Sequence, residues 1–188
     1  MNFIFDCDDV LLDWLGGFKE YLADLDITPQ TPEPKTWSLD EWLGVSAVPL
    51  IKAFNTSEKF GHLRPTPGSV EPIQRLHAAG HSIRVLSSCI VRGGRVKFRR
   101  ENNLKSQFGD IFSSIDCILL GAEKSTSLKA YATGVWVEDN YGHAVAGALL
   151  GHETWMIRRP HNRRFEGQPN PLGINWVDSV QDLLSHYM

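Results

Sequence analysis

The chain has 188 residues, a net charge of −3 and a hydrophobic share of 42%, which fits one globular domain with room for a small insertion and argues against a general nucleic-acid binder. Its three cysteines, Cys7, Cys89 and Cys117, lie far apart with no C-x-x-C spacing, a pattern that suits reduced thiols better than a disulfide frame or a zinc site. No apolar stretch is long enough to span a bilayer and the start lacks the basic flank and apolar run of a signal peptide, so a soluble cytoplasmic protein with no membrane partner is expected.

Phe3-Ile4-Phe5 runs straight into Asp6-Cys7-Asp8-Asp9, and from Val10 the apolar residues recur at helical spacing through Leu11, Trp14, Leu15, Phe18 and Leu22. The pattern predicts a buried strand, a turn, then a helix over about Val10–Asp24. Asp6 and Asp8 stand two positions apart, which turns both side chains to one side of an extended backbone. Like charges held that close repel, and such a pair persists most easily around a cation or a metal-bound phosphate. One Asp would suffice to cap the helix; three in four residues exceed that need. Gly16-Gly17 inside the helix serves either close packing or space beside a ligand.

From Ile27 to Arg64 the pattern changes. Pro29, Pro32 and Pro34 mark a loop, Ser38-Leu39-Asp40-Glu41 has the spacing of a capping box before a short helix, and Ala47 to Phe54 reads as a second helix. The expected organisation is a core of residues 1–26 and 65–188, with 27–64 a small helical cap that shuts water from the acidic turn. Pro65-Thr66-Pro67-Gly68 returns the chain to the core, followed by a helix over Ser69–Ala79 that Gly80 closes.

The rest alternates. Ser82–Leu86 is a strand ending in Ser87-Ser88-Cys89, about Gly94–Asn103 a basic helix, Ile115–Leu120 a strand, and Glu123-Lys124-Ser125 leads into a helix reaching Ala132. Gly134–Val137 is a strand ending in Glu138-Asp139; a helix over Ala144–Leu150, strands at Thr154–Ile157 and Asn175–Val177, and a terminal helix complete the chain. This predicts an α/β fold: a Rossmann-like parallel sheet with helices on both faces.

Parallel strands bring their carboxyl ends to one edge, so Asp6, Asp8, Ser87, Lys124, Glu138 and Asp139 can meet although distant in sequence. The set suits phosphoryl transfer: one carboxylate attacks phosphorus, a second handles the proton, a hydroxyl and an ammonium hold phosphate oxygens, and further acids hold Mg²⁺. Each residue also has an ordinary explanation, since serines form turns, lysines are solvated and paired acids cap helices. Their joint order, phased to strand ends, does not.

In that order, Phe5-Asp6-Cys7-Asp8-Asp9-Val10-Leu11, Val85-Leu86-Ser87, Lys124 at a helix start and Val137-Glu138-Asp139 resemble the four motifs of the haloacid dehalogenase superfamily of phosphohydrolases. The resemblance implies a Mg²⁺-dependent phosphatase in which Asp6 is the nucleophile and Asp8 the general acid and then base. It further implies that Ser87, Ser88 and Lys124 bind phosphate, that Asp6, the Asp8 carbonyl and Asp139 hold the metal, and that Glu138 acts from behind them through water. Within that superfamily, Asp8-Asp9-Val10-Leu11-Leu12-Asp13-Trp14 with Gly16-Gly17-Phe18, the Ser87-Ser88 pair and the Arg159–Arg163 loop are similar to the 5'(3')-deoxyribonucleotidases. A nucleoside monophosphate is then the implied substrate, with Trp14 against the base and Trp37 and Trp42 as further aromatics; Arg92 and Arg95, by their place just beyond Ser87-Ser88, either draw the phosphate in or form a solvated basic face. The chain departs from that group at Asp9, where Gly is usual, at Glu138, where Asp is, and at Cys89, where Pro is common. Competing expectations are a sugar phosphate, a nucleic-acid terminal phosphate reached through Arg158–Arg164, and a non-catalytic phosphate-binding relic. A signalling receiver domain fits less well, because no single Asp ends the Ser82–Leu86 or Ile115–Leu120 strand.

Overall fold

The computed structural model describes residues 1–92 and 95–187. Six parallel strands form one sheet: β1 (Asn2–Phe5), β2 (Ser82–Ile90), β3 (Ser114–Leu119), β4 (Val135–Glu138), β5 (Glu153–Ile157) and β6 (Asn175–Val177), ordered β3-β2-β1-β4-β5-β6. The chain works outward from β1 through β2 to β3, then returns to lay β4 on the other side of β1. That reversal opens a crevice at the carboxyl ends of β1 and β4, where Phe5 pairs with both Val85 and Val137.

Eight helices are described: α1 (Trp14–Asp24), α2 (Leu39–Leu43), α3 (Ala47–Thr56), α4 (Val70–Ala78), α5 (Val96–Phe108), α6 (Ser125–Ala130), α7 (Tyr141–Leu149) and α8 (Val180–Leu184). Alternation along the strands sorts the core into two layers. Phe3, Phe5, Ile83, Val85, Val135 and Val137 join the helices α1, α3, α4, α5 and α8 on one side. Ile4, Leu86 and Trp136 join Leu128 of α6 on the other. No helix among the described residues is long and apolar enough to cross a membrane.

Several boundaries differ from the sequence expectation. Helix α1 starts at Trp14, not Val10, because the Leu11 and Leu12 amides both return to the Cys7 carbonyl (2.9 Å each) in a single tight turn. Its cap is Asp13, whose carboxylate accepts from the Gly16 amide at 2.9 Å. Ser38 makes no capping hydrogen bond; Asp40 instead accepts from the Ala47 amide (2.7 Å) and so caps α3. Strand β2 runs on to Ile90, and α5 extends to Phe108; the Gly94 start foreseen for that helix lies outside the described residues. Helix α6 ends at Ala130, short of Ala132.

The two glycines do different work: a Cβ on Gly16 would stand 2.2 Å from Asp13 Oδ2 and crowd the cap, whereas Gly17 serves packing. A Cβ on Gly17 would lie 2.3 Å from Leu63 Cδ2 and 3.3 Å from Phe54 Cζ, so bare backbone lets α1 meet α3 and the chain behind it. Gly147 does the same under α7, where a Cβ would stand 2.3 Å from Trp136 Cδ1 and 2.9 Å from its Nε1. Trp136 is wholly buried and cannot swing away. Gly147→Ala is therefore expected to lower the urea midpoint: the clash costs about 1–3 kcal/mol, more than the ~1 kcal/mol that helix propensity returns.

Candidate active site

The floor of the crevice is built by β1, β4 and the start of α6. Lys124, 2% exposed, precedes the first residue of α6 and projects inward. Its Nζ donates to Asp6 Oδ1 at 2.5 Å and to Glu138 Oε2 at 2.8 Å, and lies 5.3 Å from the centre of the Trp136 ring. Glu138 Oε1 accepts from the Asp139 and Asn140 amides at 3.0 Å each. Asp6, Glu138 and Asp139 bring carboxylate oxygens within 4.8 Å of one another. Three clustered buried acids, two of them on one ammonium, leave a surplus of negative charge.

The electrostatics follow from that crowding. Burial raises the Asp6 carboxyl well above its ordinary value, the Glu138 charge adds to it, and Lys124 opposes both. Burial likewise raises Glu138 against the pull of Lys124. Asp139 goes the other way: burial would raise it, but hydrogen bonding and charge from His161 hold it low. Lys124 stays an ammonium, because Asp6 and Glu138 outweigh the cost of burying it.

Asp8 and Asp9 line the cavity above this floor. Asp9 has φ 57°, a left-handed conformation that Gly adopts freely and Asp tolerates better than most. Asp9 Oδ1 accepts from the Leu15 amide at 2.9 Å, which ties the turn to the start of α1. Burial pushes the Asp8 carboxyl up to about 6, although the Arg100 charge pulls it down. A carboxyl poised there can both give and take a proton near neutrality.

The two serines part company. With β2 continuing to Ile90, alternation turns Ser87 to the side of Val85 and Cys89, where its hydroxyl is buried with no partner among the described residues. Ser88 lines the cavity and donates to the Leu119 carbonyl at 2.9 Å. Trp14 also lines the cavity, yet it is embedded: its Nε1 donates to Asn55 Oδ1 at 3.0 Å and its ring stacks on Phe18 at 4.8 Å. Trp42 does not line the cavity; it is 3% exposed, and its indole donates to the Thr31 carbonyl, so it holds the loop rather than facing a ligand. Trp37 is 56% exposed at the cavity rim, edge-on to His161 at 5.2 Å. Arg92 and Arg95 are exposed and outside the lining.

The cavity measures about 730 Å³. Acids and Lys124 form its floor; Trp14, Leu15, Trp37, Leu39, Val48 and Ile51 form an apolar wall from α1 and the 27–64 segment. Four further residues brace the site: three lie in the Arg159–Arg163 loop, which the sequence marks only as a string with no role for its members, and the fourth, Arg100, the sequence does not mark at all. Arg159 donates from Nε to the Asp9 carbonyl at 2.8 Å and from Nη2 to the same oxygen at 2.5 Å. Asn162 Nδ2 donates to the Asp139 carbonyl at 2.8 Å, His161 Nε2 stands 3.3 Å from Asp139 Oδ2, and Arg100 pairs with Asp8. Arg158 is engaged by Glu166 and Asp178, so two arginines of the basic loop are tied up in structure rather than offered to a polyanion. Only the loop's unusual Arg-Pro-His-Asn string hinted at the first three; Arg100 sits in an ordinary basic helix.

No family model matches the sequence, and no curated protein does. Solved structures match over nearly the whole chain. A haloacid dehalogenase-like hydrolase from Streptococcus pneumoniae shares 12% identity, with a TM-score of 0.64 over 100% of this chain and 98% of its own. The D,D-heptose 1,7-bisphosphate phosphatase from B. bronchiseptica, solved with magnesium and phosphate, shares 16% identity at 0.63 over 98% and 96%. L-2-haloacid dehalogenase from Xanthobacter autotrophicus, with chloropropionic acid covalently bound, shares 13% at 0.54 over 98% and 96%. The chain thus has the fold of the haloacid dehalogenase-like hydrolases.

Proposed function

We propose that this protein is a phosphomonoester hydrolase working through an aspartyl-phosphate on Asp6. The observation that carries the reading is the buried Lys124 ammonium held between Asp6 and Glu138, beside an Asp139 whose Oδ1 is buried with no partner among the described residues. An idle, buried carboxylate oxygen next to two further acids fits a hard divalent cation. Asp6 and Asp139, with the Asp8 backbone carbonyl, would hold Mg²⁺, and Glu138 would steady the site from behind, since protein donors already occupy both its oxygens. When bound, the ion offsets charge on the acids and on the phosphate oxygens.

The chain's own groups perform the transfer. An Asp6 carboxylate oxygen forms a bond to phosphorus as the bond to the leaving oxygen breaks, and Asp8 gives that oxygen its proton. Water then attacks the phosphorus of the aspartyl-phosphate, Asp8 takes the water's proton, and the Asp6–phosphorus bond breaks to release phosphate. Lys124 and Ser88 bind the phosphoryl oxygens.

A nucleoside monophosphate is the substrate we infer, because one cavity joins a charged floor for phosphate to an apolar wall for a base. The resemblance to the 5'(3')-deoxyribonucleotidases supports that choice. The test is phosphate release from deoxyribonucleotides, ribonucleotides, sugar phosphates and end-phosphorylated oligonucleotides, with 2-haloacids as a control for halide release. Nucleotides are expected to be turned over fastest and to lose that preference in Trp37→Ala and Trp14→Ala. Equal rates across the phosphates would remove the nucleotidase reading, and halide release without phosphate release would remove the phosphatase reading as well.

Magnesium should also stabilise the fold in a pH-dependent way. The folded-state carboxyls of Asp6 and Glu138 are raised, so without metal the folded chain binds more protons than the unfolded one. Its stability then falls as pH rises from the ordinary carboxylate range through those raised values. Magnesium bound by Asp6 and Asp139 would take the place of those protons and, at a hundred times its Kd, would add about 2.7 kcal/mol. The thermal midpoint gained on adding magnesium is expected to be larger at pH 8 than at pH 5; a gain that shrinks with pH would place the ion elsewhere.

A further inference from the structure

We propose that Arg100 is a positioning residue for Asp8, holding one carboxyl oxygen so that the other faces the departing group of the substrate; this rests on the phosphomonoesterase reading above. Arg100 lies on α5, ninety-two residues from Asp8, and is wholly buried. Its guanidinium rests on the Phe60 ring, 4.2 Å from the centroid, in the short helical turn Lys59–His62. Nη2 donates to Asp8 Oδ1, and this is its one ion pair among the described residues.

Three features separate positioning from simple structural support. First, Arg100 does not line the cavity whereas Asp8 does, so the arginine can act only through the acid. Second, the contact is one-pointed. A structural guanidinium–carboxylate pair gains most from a two-pronged fork, yet here Nε and Nη1 are buried with no partner among the described residues. Leaving two donors idle in the interior is costly, and the one-pointed contact leaves Asp8 Oδ2 with no protein partner among the described residues. Third, with Oδ1 accepting from Arg100, a proton on the Asp8 carboxyl resides on Oδ2. That is the oxygen left to meet the leaving group. As the Asp6–phosphorus bond forms and the ester P–O bond breaks, the Oδ2 proton passes to the departing alkoxide; Oδ1 remains with Arg100 throughout.

The role makes a prediction that a merely structural arginine does not. A dinitrophenolate leaves without a proton, whereas an alkoxide needs one. Moreover kcat/KM covers only the steps through departure of the leaving group, so it is insensitive to the later water attack in which Asp8 serves as base. In Arg100→Met, kcat/KM is expected to fall about 10²-fold or more for the alkyl phosphate that the wild type hydrolyses best, in keeping with general-acid catalysis. For dinitrophenyl phosphate it should fall less than about tenfold. Arg100→Lys, which keeps the charge, should recover part of the loss, and Asp8→Asn should share the leaving-group dependence. On the alkyl ester, Asp8→Asn/Arg100→Met should be no worse than Asp8→Asn alone.

Should Arg100→Met fail to fold, the double variant, which removes both charges, and Arg100→Lys carry the comparison. Equal losses on the two esters, or losses that multiply in the double variant, would overturn the role assigned to Arg100 while leaving the phosphatase reading intact. A wild type that releases phosphate from neither ester would sink both.

Discussion

Asp6→Asn should reduce phosphate release by at least about 10⁴-fold while leaving the protein folded. Asn keeps the shape of the side chain but has no oxygen able to form the acyl-phosphate, so the covalent route closes at its first bond. The fold has little reason to suffer. Asp6 is one of three clustered buried carboxylates, and removing its charge relieves repulsion from Glu138 and Asp139 while Lys124 keeps Glu138 at 2.8 Å. Steady-state turnover with and without magnesium, alongside a urea titration, checks both halves. Turnover near the wild-type rate in Asp6→Asn, or wild-type turnover indifferent to chelation, would mean that the nucleophile or the metal requirement has been misassigned.

Lys124→Met is expected to be the most damaging of these changes to stability, and to lower the rate as well. It deletes a cation that is 2% exposed and leaves Asp6, Glu138 and Asp139 facing one another. Breaking a buried pair by removing one partner costs about 3–5 kcal/mol, because the other charge stays uncompensated. The pH dependence has a definite sign. In the wild type the Lys124 pKa is raised, so its contribution is fully present below the ordinary lysine range and is constant between pH 5 and 8. In the variant the Asp6 and Glu138 carboxyls rise further, the folded state holds more protons than the unfolded one, and stability declines as pH climbs through the raised values. The deficit relative to wild type should therefore be larger at pH 8 than at pH 5, and magnesium should recover part of it. Urea midpoints at the two pH values measure this; a deficit under about 1 kcal/mol, or one that does not change with pH, would show that the ammonium is not what holds the acids together.

The polar scaffold around the acids explains how such a charge surplus is tolerated. Backbone amides of Asp139 and Asn140 satisfy Glu138, while Asn162 and His161 fix Asp139 from the loop after β5. Arg159 clamps the carbonyl of the left-handed Asp9. The site is thus held by groups from the end of β4 and the loop after β5, which gives the acids a fixed geometry before any ligand arrives.

What the sequence by itself determined was the order of strands and helices and the meeting of the acids. Local periodicity carries that information: Phe3–Phe5 and Val135–Val137 are short apolar runs buried on both faces, and each leads directly into acids. Once strands are parallel, their carboxyl ends share an edge, so Asp6, Asp8, Lys124, Glu138 and Asp139 had to come together. Tertiary structure alone decided the details that hinge on partners distant in the chain. The register and length of β2 place Ser88 rather than Ser87 at the cavity, and a double return to the Cys7 carbonyl delays α1 to Trp14. Trp42 turned inward because the Thr31 carbonyl was there to accept its N–H. Arg100 was invisible in the sequence, one arginine among several in a basic helix, since nothing in local spacing records that Phe60 and Asp8 converge on it from 40 and 92 positions away. Periodicity reports which face of an element is buried; which polar groups meet across that burial is set by the packing of the elements.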